Sequence, residues 1–117
     1  MRLTRRQGAV FASAVILAGV AATADAVVST TCYVAASGGY ANCLNKANPG
    51  WEQAKAPSGS ATPYRFQLHR FSDGANWGWW EWNDTSYHTV FLSIAGTVTA
   101  QVDNRGSGTA GYYVAME

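Results

Sequence analysis

Residues 64–83 read YRFQLHRFSDGANWGWWEWN and carry four of the chain's five tryptophans. The segment divides at Ser72-Asp73-Gly74-Ala75-Asn76, a run of turn-forming residues. On either side, Tyr64–Phe71 and Trp77–Asn83 are rich in aromatic residues and read as strands. Side chains alternate between the two faces of a strand. In the first strand Tyr64, Phe66 and Leu68 share one face, and Arg65, Gln67, His69 and Phe71 share the other. In the second, Gly78, Trp80 and Trp82 oppose Trp77, Trp79, Glu81 and Asn83.

These faces restrict how the two strands pair. A two-residue turn at Asp73-Gly74 would set Leu68 opposite Trp79 and mix an apolar face with a polar one. A one-residue slip of this kind is forbidden wherever one face is buried. A three- or five-residue loop keeps the faces matched. With Phe71 opposite Trp77, Leu68 meets Trp80 and Phe66 meets Trp82, while His69 meets Trp79, Gln67 meets Glu81 and Arg65 meets Asn83. Trp80 and Trp82 are then core. Trp77 and Trp79 share a face with Arg65, Gln67, His69, Glu81 and Asn83, too many polar groups for a dry interior. The alternative is that another strand or the 46–63 segment covers Trp77 and Trp79 and all four indoles are internal.

Downstream, Tyr87–Ala95 reads as a strand with His88, Val90, Leu92 and Ile94 on one face. Gly96 ends it. Thr97–Asp103 alternates Val98, Ala100 and Val102 inward with Thr97, Thr99, Gln101 and Asp103 outward. After Asn104-Arg105-Gly106-Ser107-Gly108, Tyr112–Met116 reads as a closing strand. Upstream, Val27–Ala35 reads as a strand, Ser37-Gly38-Gly39 as a turn and Tyr40–Asn45 as a return strand. In that hairpin Val34 pairs with Ala41 and Cys32 faces Cys43. Trp51–Ala56 reads as one helical turn or none, and Pro57–Pro63 as a loop. Strands about ten residues apart, separated by Gly/Asn/Asp turns, predict an all-β fold: a small antiparallel β-sandwich or barrel of about six to seven strands with one disulfide.

The chain has 117 residues. Its first 26 read as a signal peptide, with Arg2, Arg5 and Arg6 ahead of the apolar run Gly8–Ala22 and a small-x-small cleavage site at Ala24-Asp25-Ala26. The apolar run is too short to span a bilayer, and the arginine pair leaves the export route open between the general and twin-arginine pathways. Residues 27–117 then form a single secreted domain with no membrane span. Export puts Cys32 and Cys43 in an oxidising compartment, where a disulfide is the default.

Composition excludes some partners. Outside residues 1–26 five basic residues (Lys46, Lys55, Arg65, Arg70, Arg105) face six acidic ones (Glu52, Asp73, Glu81, Asp84, Asp103, Glu117). With no basic patch, nucleic acid is not the expected partner. Two histidines and one cysteine pair are too few for a zinc site, and no cofactor is implied. Ser93 and His88 lack a nucleophile-elbow setting. Glu81 and Asp84 read as solvated rim residues rather than a glycosidase pair. The sequence therefore predicts a non-catalytic secreted binding module. Its candidate contact residues are Trp77, Trp79, His69, Phe71, Arg65 and Glu81, with His69 beside Trp79. Exposed indoles stack on sugar rings, and Trp and Arg are equally the hot-spot residues of protein interfaces. The expected ligand is accordingly a polysaccharide or an extracellular protein, the latter in an adaptor role. The competing reading is a secreted antagonist, such as a hydrolase inhibitor or a bacteriocin-like toxin, presenting the Asn45–Pro63 or Cys32–Cys43 loop.

Overall fold

The structure is a computed structural model and describes residues 26–117. The expected signal peptide, all but Ala26, lies outside the described residues. Eight strands follow in order: β1 (Val28–Val34), β2 (Tyr40–Ala47), β3 (Glu52–Lys55), β4 (Tyr64–Arg70), β5 (Asn76–Trp82), β6 (His88–Val90), β7 (Thr97–Asn104) and β8 (Ala110–Met116). They form two four-stranded sheets, ordered β1-β8-β3-β6 and β2-β7-β4-β5. All the strand pairs are antiparallel. The all-β sandwich expected from the strand patterning is the fold. Its additional strand is β3, in the stretch read as a helical turn or none. There the exposure alternates, with Glu52 and Ala54 inside and Gln53 and Lys55 half-exposed, which is the period of a strand.

The core comes from the inner faces of both sheets. Tyr64, Phe66 and Leu68 of β4, Val98, Ala100 and Val102 of β7, and Tyr112, Val114 and Met116 of β8 are all fully buried. Burying a large apolar side chain stabilises a fold by roughly 1.5–3 kcal/mol, so these three central strands supply most of the driving force. The hydroxyl of Tyr112 donates to the Ala61 carbonyl at 2.5 Å, in the single 3-10 turn Gly59–Ala61. Tyr64 packs its ring against Tyr112 with centroids 5.0 Å apart, but its buried hydroxyl has no partner. A second buried polar group stands out. Glu52 is 0% exposed, and neither of its carboxylate oxygens is hydrogen-bonded.

Only β4 and β5 are consecutive strands paired as a hairpin; every other connection crosses between the sheets. The expected β1–β2 hairpin is therefore not formed. β1 pairs with β8, setting Cys32 opposite Tyr112, and β2 pairs with β7. The Cys32–Cys43 disulfide is present, with Cα atoms 5.4 Å apart, but it joins one sheet to the other. The same Cα separation suits two cysteines facing each other in a hairpin and two reaching across a pinched sandwich, so sequence spacing does not distinguish these cases. Stacked sheets usually lie about 10 Å apart, so this bond draws them together at the β1/β2 edge. At the opposite edge Trp80 and Trp82 pack between the sheets. Their rings stack 6.5 Å apart at 6°, and Trp82 stacks on His88 at 4.3 Å and 3°. His88 Nε2 lies 2.6 Å from Asp84 Oδ1. This contact, and after it the Ser86 amide, hold the Asp84 carboxyl below the usual carboxylate range.

The β4–β5 register differs from the expected one. Tyr64 pairs with Trp82, Phe66 with Trp80, Gln67 with Gly78, Leu68 with Trp77 and His69 with Asn76. The pairing is two residues off from that inferred from the faces over Tyr64–Phe66 and three off beyond, the difference being a bulge opposite the Phe66/Gln67 step. An extra residue on one strand reverses the in–out alternation beyond it. Trp80 and Trp82 therefore pack against the core as expected, but so does Trp77. The assignment of Trp77 to the outer face is corrected; Trp79 alone of the four indoles remains there. Gly78 makes the bulge feasible. Its φ is +108°, and a Cβ would stand 2.7 Å from the Phe66 carbonyl oxygen, so only glycine fits. Downstream, regular strand stops at Val90 rather than Ala95, although Ile94 still turns into the core.

Candidate functional site

The candidate surface is the outer face of the β2-β7-β4-β5 sheet. Antiparallel register lines its residues up in rows. One row holds Tyr40, Asp103, Arg65 and Glu81, and the next holds Asn42, Gln101, Gln67 and Gly78. A third brings Thr99, His69 and Asn76 together. The outward side chains of β7 are less exposed than alternation alone implies. Thr99 is 0%, Gln101 4% and Asp103 6% exposed. A central strand can be buried on both faces when its neighbours fold long side chains over it, which is the case here.

The first row is built around Arg65. Its Nε and Nη2 both donate to Asp103 Oδ2, at 3.1 and 2.8 Å, and Arg105 approaches the same oxygen at 3.7 Å. The bulge swings Trp79 back over this pair. The Arg65 guanidinium lies 5.1 Å from the Trp79 ring centroid, within cation–π range. The indole continues across the sheet to Tyr40 of β2, with centroids 5.8 Å apart. Tyr40 and Trp79 belong to the two edge strands of the sheet, so one aromatic band spans its width with an ion pair beneath it.

The second row is an amide relay. Gln67 Nε2 donates to Gln101 Oε1 at 2.7 Å, and Gln101 Nε2 donates to Asn42 Oδ1 at 2.9 Å. An acceptor, Gln67 Oε1, is left at one end and a donor group, Asn42 Nδ2, at the other; no described residue takes either. Gly78 contributes no side chain, so the row stays open next to Trp79. Beyond it, His69 Nδ1 lies 2.8 Å from Asn76 Oδ1, and its ring meets Phe71 edge-on at 5.7 Å.

Of the six contact residues expected from sequence, the fold brings Arg65 and Trp79 together, with Glu81 on the same row. His69 and Phe71 form a separate pair at the hairpin end, so His69 does not meet Trp79 as expected. Trp77 lies on the opposite face, where the Arg70 guanidinium covers it at 5.3 Å. Sequence reading missed Tyr40, Asn42, Gln101 and Asp103. The last two stand at outward positions of an alternating strand, a legible signal. Tyr40 and Asn42 carried none, because β2 was expected to pair with β1. Ser93 lies elsewhere, in a shallow hollow beside Asn48, Pro49, Ile94 and Glu117. Among the described residues no three His, Cys, Asp or Glu side chains are grouped to hold a metal ion, and no helix is long and apolar enough to cross a membrane.

The arrangement offers two neighbouring aromatic rings tilted 51° to each other, fixed hydrogen-bond donors and acceptors beside them, and a guanidinium packed on the indole. Chemically this suits stacking on a ring and hydrogen-bonding its hydroxyls. The sequence matches no protein-family model and no curated protein.

Proposed function

We propose that the chain is an exported, non-catalytic binding module that recognises a polysaccharide through the outer face of the β2-β7-β4-β5 sheet. The observation that carries this reading is the Tyr40–Trp79 band lying over Arg65 and bordered by the Asn42–Gln101–Gln67 relay. Indoles and phenols stack on the apolar faces of sugar rings, while amides in fixed positions pair with hydroxyls. Pre-bonded side chains lose little rotamer freedom on binding, which favours affinity. Export rests on the N-terminal sequence signal, and the disulfide is consistent with an oxidising destination. In this reading Arg65 and Gln67 orient the sugar, Trp79 and Tyr40 stack on it, and Glu81 accepts from a hydroxyl at the rim.

The test is depletion of the folded chain by insoluble cellulose, chitin and xylan, in parallel with pull-down from culture medium. Binding to one glycan should fall at least tenfold in Trp79→Ala, a loss in keeping with an aromatic hot spot. Binding unchanged by Trp79→Ala overturns the site. Capture of a single protein with no retention on any glycan overturns the ligand class and favours the adaptor or antagonist reading.

A further inference from the structure

The opposite side of the sandwich carries a second aromatic surface, built differently. The outward row of the β1-β8-β3-β6 sheet contains Thr31, Tyr113 and Lys55, and the adjacent row sets Tyr33 opposite Gly111. Gly111 is a close-approach glycine. A Cβ there would stand 2.8 Å from Tyr33 Cε1 and 2.9 Å from Thr31 Cγ2, so the Tyr33 ring lies down over the space a side chain would fill. Its other face is open, and the residue is 74% exposed. Tyr87 meets Tyr113 at 5.7 Å with the rings at 89°, giving a floor and a wall. Lys55 Nζ sits 5.5 Å from the Tyr87 ring centroid and 3.4 Å from the Ala56 carbonyl. These groups surround a shallow cavity of about 380 Å³ bounded on one side by Pro57, within the roughly 300–1,000 Å³ range of small-ligand sites.

Two features define what fits. No described residue hydrogen-bonds the hydroxyls of Tyr33, Tyr87 or Tyr113, so three polar groups around the cavity are free for a ligand. No carboxylate lines the cavity, so the Lys55 ammonium is the sole charge there and favours a ligand that carries an anion. We infer that this face is a second sugar-binding site that takes a carboxylate-bearing pyranose, of the uronic-acid type, with the ring stacked on Tyr33 and the carboxylate drawn to Lys55. A proline-rich peptide would find aromatic rings here too, but it would leave the cation unpaired and the phenol hydroxyls largely unused. The site shares no residue with the Trp79 face and does not depend on it.

The experiment is NMR or calorimetric titration of the folded chain with oligogalacturonate, using a cello-oligosaccharide as the neutral comparison and a proline-rich peptide as the competitor class. Oligogalacturonate should bind at least tenfold more tightly than the neutral oligomer. Tyr33→Ala should weaken it at least tenfold. Lys55→Gln should weaken oligogalacturonate binding at least tenfold and flatten its salt dependence. Tyr33 and Lys55 are not core residues, so an unchanged urea-unfolding midpoint establishes that each variant is folded. Equal perturbation of the Tyr33, Tyr87 and Tyr113 signals by acidic and neutral oligomers overturns the inference. Binding insensitive to Tyr33→Ala overturns it, as does loss on Trp79→Ala with Tyr33→Ala intact, which would place the acidic glycan on the other face. Perturbation of the tyrosine signals by the proline-rich peptide alone overturns it as well.

Discussion

Glu52 is the most demanding residue in the interior, and replacing it with glutamine should stabilise the protein in a way that depends on pH. Its side chain is fully enclosed and neither oxygen is hydrogen-bonded. Desolvation pushes its carboxyl up from 4.5 to about 7, offset in part by the nearby Leu92 amide, which lies outside hydrogen-bonding geometry. Because the value is raised on folding, the folded chain holds a proton that the unfolded chain releases between those two limits. The associated stability is fully present below about pH 4.5 and is lost as the pH rises through 7. A difference of one pKa unit corresponds to about 1.4 kcal/mol, so the whole window is worth about 3 kcal/mol. That is a large part of the roughly 5–15 kcal/mol that holds a domain folded. Glu52→Gln keeps the shape and removes the titration. Urea unfolding of both proteins from pH 4 to 9 should show similar stabilities at the acid end. The variant should gain about 3 kcal/mol above pH 8, equivalent to roughly 10–25 °C in Tm for a domain of this size. The low-lying carboxyls of Asp73 and Asp84 titrate mainly below this window and are common to both proteins, so they cancel in the difference. Parallel stability–pH curves would refute the reasoning, because a burial-shifted carboxyl cannot be removed without changing the slope.

The two buried tyrosines should respond in opposite senses. Tyr112→Phe removes a hydroxyl bonded to Ala61 and should destabilise by about 1–2 kcal/mol, whereas Tyr64→Phe removes one without a partner and should be neutral or stabilising; denaturant midpoints decide. Gly78→Ala should cost about 1–3 kcal/mol and shift the tryptophan fluorescence, since the new methyl meets the Phe66 carbonyl at a positive φ. Cys32→Ser/Cys43→Ser, opening a loop of 11 residues' separation, should lower stability by about 3 kcal/mol on the chain-entropy model, measured against the oxidised parent. Trp77→Ala, in contrast with Trp79→Ala, should reduce stability by about 3 kcal/mol or more through loss of packing, read as a fall in Tm.

Much of the architecture was legible because it depends on period. The alternation in Tyr64–Leu68 and Val98–Val102 identified strands and their buried faces, and the fold follows both. What stayed hidden involves single insertions and long-range choices of partner. The Gly78 bulge adds one residue, which no pattern of apolar and polar letters records, and that one residue moved Trp77 to the inside. The choice of β8 over β2 as the partner of β1 is made by the packing of two sheets far apart in sequence. The short Ser37-Gly38-Gly39 turn serves an arch between sheets as well as a hairpin. Strand β3 was obscured because its buried face holds Glu52 and Ala54, an acid and a small residue that do not advertise a core. At the candidate site parity alone put Arg65 and Trp79 on one face, though opposite Asn83 and His69 rather than beside each other, and Tyr40 could not be placed there, because its position follows from the β2–β7 partnership.

The bulge at Gly78 has a further consequence for solubility. Strand β5 forms a border of its sheet, so its outer row of amides and carbonyls has no neighbour, and it carries four indoles. A flat, sticky margin of that kind is a template on which another molecule could add a strand and begin an aggregate. The irregularity breaks the spacing of that row midway, and a bulged border is a poorer template than a flat one. The one residue that lays Trp79 across the sheet thus also interrupts the flat margin on which edge-to-edge pairing depends.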